Sequence, residues 1–597
     1  TRAYRVNLGV LSLMALFTGS FLVFAVMSLS VAQRLPQLAL LGVLGMSARE
    51  RAALVLAEAL GLGLLGSALG LLLGWSLAAL ALQLLGSDLG LAVAGGLRPQ
   101  LHLDLSQIPA AALFGGLGLA VALLSAAAPA LAVRRMPVAQ VLKGLGGPQG
   151  LSPPPWLGPA LLLTGALLAL LPPLPVDVAG GIALGAYAAM LCLLLGGIAC
   201  VPQLLRLAVA LLRLWPGSAL ALLVRERARD QAGEAGRALA GVLVSLSLSV
   251  AMLVMVGSFR ASLDQWLTQM LPADLYLRSS LRLAGGLGAP LPTRLVEQLR
   301  QSPLAARVSA QRTLQLPITG LAEPALLMAR ELDERQLPLA QPVVEGAVDA
   351  VPIYVNEAMR DALRLQPGQV LPLRLDGRER RAFVRGVWRD YARQSPALLM
   401  PLAEYRRWSG DASVSELYLW LAPQVSVASA EAGLRRLAAQ PQDLEIAAAA
   451  ELRGLSLRIF DRSFAITVWL QAVALAIGLF GIAASQSAQV LARRREFGLL
   501  LHLGFSRGGV LRLLALEAAL LSGVGTVAGL ALGLGLSAVL VWVVNPQSFH
   551  WSMDMSLPLP RLAALAGAVF AAGIGAALLA GRRAAGGDAV QAVKEDW

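Results

Sequence analysis

Lysine is almost missing from this 597-residue chain: Lys143 is followed by Gly144 and Lys594 by Glu595. A phosphate-cradling loop needs Gly-x-x-x-x-Gly-Lys followed by Ser or Thr, so ATP hydrolysis through a P-loop of its own is excluded. Histidine is nearly as scarce. His102, His502 and His550 fall in separate inter-helix segments, too scattered for a shared metal site. Cysteine is confined to Cys192 and Cys200, inside one apolar run; that excludes a disulfide-stapled fold and a cysteine-rich metal centre. Charge is low at 14%, against about 25% in a soluble domain.

What fills the chain is 57% hydrophobic residues and 60 glycines, with a mean hydropathy of +0.68. These values mark an integral membrane protein. Nine uncharged runs read as spans: Val6 to Gln33, Ala59 to Ser87, Leu105 to Val133, Trp156 to Leu171, Val178 to Leu205, Ala238 to Phe259, Ser463 to Ala492, Ala518 to Phe549 and Leu562 to Gly581. Most exceed the roughly 20 residues needed to cross a bilayer. The fourth is short and hemmed in by prolines.

The net charge of +13 is topological and does not point to nucleic acid. Arg34, Arg49 and Arg51, then Arg134, Arg135 and Lys143, the stretch Arg206 to Arg237, Arg493 to Arg512, and Arg582, Arg583 and Lys594 all fall on one side if nine spans alternate. The opposite short loops carry little beyond Arg98 and Arg561, so the basic side is expected to be cytoplasmic. That alternation sets Thr1 outside, directly before a span, and predicts at least one earlier helix.

The chain also repeats itself. An offset of 459 residues places Arg34 on Arg493, Leu44 and Gly45 on Leu503 and Gly504, Ser47 on Ser506, and Glu58 on Glu517. The same offset places Gly66, Gly70 and Gly74 on Gly525, Gly529 and Gly533. Both copies close alike, with Arg134 and Arg135 before Val138 to Lys143, and Arg582 and Arg583 before Ala589 to Lys594. Glycines four apart share one helix face and let a neighbour approach to backbone distance, so both triplets are expected to be helix-packing seams. Glu58 and Glu517 lie inside their spans just past a basic cluster; an ion pair or hydrogen bond near the interface is expected, in preference to a proton relay.

Between the sixth and seventh spans the pattern changes. From about Arg260 to Arg462 it switches to strand-like runs with turns: Leu275 to Leu277, Ile353 to Val355, Val370 to Leu375 and Arg381 to Val387. The last two flank Asp376-Gly377, a hairpin signal. Helices are expected at Glu357 to Leu365 and Ala430 to Leu437, giving an α+β domain on the extracytoplasmic side. It contains no histidine or cysteine and no Gly-x-Ser-x-Gly element, so no catalytic residues are assigned; Glu357 and Asp361 read as a solvated helix face.

The segment Arg493-Arg-Arg-Glu496-Phe497 through Gly504-Phe-Ser506, with Glu517 following, and its fainter copy Arg34 to Ser47, resembles the segment after the second helix of FtsX/LolC/MacB-type ABC permeases. Val351 to Arg407, with Gln366-Pro-Gly368, Gly386-Val-Trp and Leu399-Met-Pro-Leu402, is similar to the extracytoplasmic core domain of that superfamily. Two halves and an inserted helix pair resemble the ten-helix YbbP-type subclass, lacking one helix and a first extracytoplasmic domain ahead of Thr1. The resemblance implies a first permease half at 1–143 and a linker with a helix pair at 144–236. A helix at 237–259, a MacB-like core domain at 260–462 and a second half at 463–597 follow.

It also implies a non-enzymatic inner-membrane subunit driven by a separate ATPase, expected as a dimer, which would supply the ATP and Mg sites; this chain would hold no cofactor or metal. Coupling segments 34–51 and 493–512 would meet that ATPase through Arg34, Leu38, Gly45, Ser47, Arg493, Glu496, Phe497, Gly504 and Ser506. Leu38 and Phe497 are expected to bury an apolar face in the partner while arginines meet acidic rims or lipid phosphates. The family favours glutamate where this chain has Gln37, so the halves are expected to engage unequally. Cargo is expected to be lipids, lipoproteins or other hydrophobic molecules, with membrane lipids and a periplasmic protein as further partners. Alternatives are a permease that senses and detoxifies membrane-active peptides, or a transmembrane regulator of an extracytoplasmic hydrolase.

Overall fold

The computed structural model describes residues 34–85, 108–139, 154–171, 184–211, 219–230, 232–281, 288–321, 323–345, 350–393, 395–438, 440–549 and 551–585, with isolated positions between 16 and 31. The chain forms two compact units. One comprises Thr1–Val256, Arg462–Val544 and Leu557–Trp597, the other Gly257–Asp461 with Asn545–Ser556.

The described elements begin with a short helix α1 (Leu35–Val43), the long α2 (Ala48–Leu85) and α3 (Ile108–Arg134). A hairpin of α4 (Leu157–Leu170) and α5 (Leu184–Leu211) follows, then a charged helix α6 (Ala219–Asp230) and α7 (Ala232–Met270). The sheet domain follows with β1 (Leu275–Ser279), α8 (Thr293–Arg300), β2 (Ala305–Leu316), β3 (Ala325–Arg330), β4 (Val351–Asn356), α9 (Glu357–Leu363), β5 (Val370–Leu375), β6 (Arg378–Trp388), β7 (Ala397–Pro401), α10 (Leu402–Ser409), β8 (Glu416–Leu421), α11 (Val427–Leu437) and β9 (Leu444–Ala448). The chain ends on α12 (Ala449–Ala492), α13 (Arg494–His502), α14 (Arg507–Val539), a π-helical turn Leu540–Val544, α15 (Asn545–Phe549) and α16 (Leu559–Ala585).

Among the described residues six helices are long and apolar enough to cross a membrane, or seven if the bent α12 is counted. Helix α4 has 14 residues, about 21 Å at 1.5 Å per residue, which falls short of a roughly 30 Å hydrocarbon core. It pairs with α5 at backbone distance. A Cβ built on Gly158 would lie 2.6 Å from Cys200 Sγ and 3.0 Å from its nitrogen, so Cys200 serves helix packing. Most of the first expected span lies outside the described residues.

Among the described residues the small-residue seam is filled in the second half only. On α14, a Cβ at Gly529 would lie 2.8 Å from Leu246 Cδ2, and one at Gly533 would lie 2.6 Å from Val250 Cβ and 2.8 Å from the Ser247 carbonyl. Gly525 meets Leu239 in the same way, so α7 beds into this groove. The equivalent Gly66, Gly70 and Gly74 have no neighbour within 4 Å among the described residues, because nothing described in the first half corresponds to α7. There α2 and α3 approach through Gly63 against Ala122 and Gly118 against Ser67.

In the second unit nine strands form one mixed sheet in the order β5-β6-β4-β7-β3-β2-β8-β1-β9. Pairs β3/β7 and β4/β6 are parallel. Alternate strand residues such as Leu277, Leu327, Val355, Leu373, Leu398 and Leu417 point into one core that also takes Leu299, Met359, Leu402 and Leu434 from α8, α9, α10 and α11. The β5–β6 hairpin turns through Asp376 (φ 50°) and Gly377 (φ 75°), the left-handed pair that a two-residue turn with matching twist requires. Asn356 caps α9: its Oδ1 accepts from Met359 N (2.9 Å) and Ala397 N (3.0 Å).

Glu357, expected on a solvated face, is buried. The segment Asn545–Ser556 covers it, and Glu357 Oε2 accepts a hydrogen bond from Ser552 N at 3.2 Å. Tyr391 Oη donates to the Ser552 carbonyl (2.7 Å), Arg389 pairs with Asp554 through bonds of 2.7 and 3.2 Å, and Ser556 N donates to Ser258 Oγ (2.9 Å). Phe259 packs edge-on against Tyr391 and Phe460 and tilted against Trp551. Burial pushes the Glu357 carboxyl above its ordinary range.

Candidate coupling site

The two coupling segments fold alike because both carry the same punctuation. After α1, Gly45 takes φ 101°, and after α13, Gly504 takes φ 93°, a conformation that a Cβ opposes. Each glycine lets the chain satisfy the last helix carbonyls. Met46 N donates to Leu41 O (3.0 Å) and Gly45 N to Gly42 O (3.4 Å); Phe505 N donates to Leu500 O (3.0 Å) and Gly504 N to Leu501 O (3.2 Å). This is the Schellman pattern, twice. Two residues later a serine starts the long helix. Ser47 accepts from Glu50 N at 3.3 Å while Glu50 accepts from Ser47 N at 2.7 Å, a reciprocal capping box; Ser506 Oγ accepts from Gly509 N at 3.0 Å. Gly45, Ser47, Gly504 and Ser506 therefore build the turn between a short helix and a long one.

Leu38 and Phe497 do not face outward as expected. Phe497 is 1% exposed, against Val490, Val510, Leu514 and Ala580, and Leu38 packs with Leu35, Val55, Ala59 and Ala130. Their apolar faces anchor each coupling helix to its own half. Leu40, Val43 and Leu44 are exposed instead on the first segment, and Leu499 and Leu503 on the second. The repeat superposes Leu40 on Leu499 and Leu44 on Leu503, but it superposes Leu38 on Phe497 as well, so the offset by itself does not separate the outward pair from the inward one.

Arginine–glutamate pairs tie each coupling helix to the helix after it. Arg34 Nη1 donates to Glu58 at 2.9 and 3.2 Å. Arg493 donates to Glu517 at 2.8 and 3.3 Å and to Glu496 at 3.2 Å, with its Cζ 5.5 Å from the Phe497 ring centre. The halves differ around these pairs. In the first, Gln37 is exposed and Arg51 is buried under α1, its guanidinium 3.5 Å from the Leu38 carbonyl. In the second, Arg227 of α6 reaches Glu496 (3.0 Å) and Glu517 (3.3 Å). Sequence reasoning left Arg227 among the orientation charges; nothing in its local pattern separates it from Arg225 or Arg229.

His502 meets the Gly498 carbonyl through Nδ1 at 2.8 Å, while His102 and His550 lie outside the described residues. Among the described residues no group of three His, Cys, Asp or Glu side chains could hold a metal ion.

The described residues form a helical membrane protein with one twice-repeated helix–turn–helix and one α+β domain. Residues 9–138 and 470–589 match the FtsX-like permease C-terminal family, and residues 237–437 match the MacB-like periplasmic core domain. These matches fit the FtsX/MacB type of ABC transporter permease, with the sheet domain extracytoplasmic. It is 27% identical over 575 residues to an uncharacterized ABC transporter permease protein of Mycobacterium tuberculosis; the match takes in 93% of this chain and 66% of the relative's length. Among solved structures it is similar to the periplasmic region of MacB from Actinobacillus actinomycetemcomitans (15% identity, 31% of this chain, 92% of that one, TM-score 0.24). It is also similar to the extracellular domain of the noncanonic ABC-type transporter YknZ from Gram-positive bacteria (13% identity, 29% of this chain, 98% of that one, TM-score 0.22).

Proposed function

We propose that this chain is the permease subunit of a transporter whose separate ATPase docks on α1 and α13 from the cytoplasmic side. Hydrolysis there drives movement of the extracytoplasmic domain on lipids, lipoproteins or other hydrophobic cargo at the inner membrane. The observation that carries this reading is the pair of outward leucines, Leu40 and Leu44 in one half and Leu499 and Leu503 in the other, each on a short helix pinned from behind. An exposed apolar strip on an anchored helix suits a groove in a soluble partner. Helix α12 starts at the residue after β9 and ends two residues before α13 begins, so one helix connects the domain to a docking element. Beyond Glu58 and Glu517 the two long helices carry no charged side chain from Ala59 to Ser87 or from Ala518 to Phe549, which favours cargo that stays in the lipid phase over a polar conduit.

The test is co-purification with a separately encoded nucleotide-binding subunit of the ABC type. Leu40→Ser with Leu44→Ser and Leu499→Ser with Leu503→Ser should together abolish capture and permease-stimulated hydrolysis while leaving membrane insertion intact. Undiminished capture would overturn the docking site.

A further inference from the structure

We propose that Arg227 is a positioning residue for the second coupling helix: it closes an ion-pair ring with Glu496, Arg493 and Glu517 that holds α13 in a fixed pose. The inference deepens the proposed function and rests on it only for the consequence in transport.

The ring alternates in sign around its four corners. Arg227 Nη2 lies 3.0 Å from Glu496 Oε2, and Arg493 Nε lies 3.2 Å from that same oxygen. Arg493 Nη1 lies 2.8 Å from Glu517 Oε2, and Arg227 Nη1 lies 3.3 Å from Glu517 Oε1. Two cations and two anions leave the ring neutral, and each guanidinium bridges both carboxylates, which suits the planar fork of arginine and not the point charge of lysine. Three separate elements meet here: α6 gives Arg227, the start of α14 gives Glu517, and α13 with its entry residue gives Glu496 and Arg493.

Helix α6 is held so that Arg227 must face this way. Val224 and Ala228 are buried, and Ala228 packs with Leu205 and Val209 of α5 and with Leu520, Leu521 and Val524 of α14. Residues 224, 227 and 228 share one helical face, so docking the apolar pair delivers the guanidinium between them. Among the described residues Arg225 and Arg229 pair with Glu226, at 2.8 and 3.9 Å.

Among the described residues the first half shows no such ring. Gln37 stands where Glu496 stands in the second half, Arg34 meets Glu58, and no described residue takes the place of Arg227. The departure at Gln37 fits these surroundings: with no described cation opposite, a carboxylate there would close no ring. Among the described residues the inserted α4–α5 hairpin, through α6, bears on the second coupling helix.

The test reads the pose of α13 directly and needs no ATPase. A nitroxide spin label is placed at Leu503→Cys, or at Leu44→Cys as the first-half reference, in the full chain in nanodiscs with Cys192 and Cys200 replaced by alanine. Arg227→Gln should raise label mobility at 503 and leave it unchanged at 44. Glu496→Gln, which copies the first half and keeps Arg227, should do the same, and the double variant should be no more mobile than either single one, because both break one ring. Arg227→Lys should fall between wild type and Arg227→Gln. If Arg227→Gln fails to insert, Glu496→Gln and Arg227→Lys carry the test. Unchanged mobility at 503 in the inserted variants, or an equal rise at 44, overturns the proposal. If the leucine variants keep their ATPase while Arg227→Gln loosens the 503 label, the ring stands and the docking assignment falls.

Discussion

Arg493 and Glu517 are joined by two hydrogen bonds across 24 residues of sequence, both side chains little exposed at 12% and 11%. Arg34 and Glu58 repeat the pair at the same separation, but at 54% and 37% exposure. The same two residues thus do unequal work in the two halves, because water screens the first pair and the surrounding protein shields the second.

Removing one carboxylate should expose that inequality. Breaking a shielded pair leaves an uncompensated charge and costs on the order of 3 kcal/mol, whereas an exposed pair is worth under about 1 kcal/mol. Glu517→Ala is expected to lower the thermal midpoint of the detergent-solubilised chain by several degrees, and Glu58→Ala by little. Equal shifts would contradict the difference in burial.

Phe497 should behave as a core residue. Truncating a buried phenylalanine costs about 3–5 kcal/mol, so Phe497→Ala is expected to lower unfolding temperature and expression, whereas Leu503→Ala should leave both unchanged. The two can be compared by thermal denaturation of the fluorescently tagged chain. Stable, well-expressed Phe497→Ala would mean that this packing counts for little.

The glycine seam predicts a position-specific penalty. At Gly533 an added methyl would press on Val250 and on the Ser247 carbonyl, which is backbone and cannot turn aside; overpacking of this kind costs about 1–3 kcal/mol. Gly533→Ala should therefore destabilise, while Gly74→Ala, with no described neighbour within 4 Å, should be neutral. Differential scanning of the two variants in one lipid mixture decides between them.

Glu357 links the sheet domain's stability to pH. Burial raises its pKa in the folded state above the ordinary 4.5, so between these two values the folded chain binds more protons than the unfolded one. Stability then falls as pH rises through that window and gains as pH drops. Glu357→Gln should flatten this dependence and raise the melting temperature at pH 7.5 relative to wild type, with the difference shrinking toward pH 4.5. A variant less stable than wild type at every pH would show that the charged carboxylate is wanted where it sits. The hydrogen bond from Ser552 and then the charges of Arg360 and Arg389, all of which oppose the rise, would be the cause.

The strand pattern around Asp376-Gly377 was legible because a half-buried strand alternates and a tight turn needs residues that accept positive φ. The coupling turns were legible in the same way: glycine and serine at fixed spacing spell a helix stop and a helix start. Glu357 was misread because Arg360 and Asp361, one helical turn on, are charged, and nothing local announces a segment arriving from residue 545 onward. Leu38 and Phe497 were misread for a related reason: on a short helix between membrane segments, an apolar side chain can face a partner or its own protein, and periodicity does not separate the two.

The sequence by itself determined the membrane class, the orientation expected from its arginines, the two-fold repeat and the lack of a P-loop, since each depends on composition or on spacing along the chain. Only the tertiary structure decided which leucines face outward, which glycines are filled and which arginine closes the ring. Those outcomes depend on residues such as Arg227 and Glu496, 269 positions apart, and proximity across that distance is set by how helices pack, not by any local pattern.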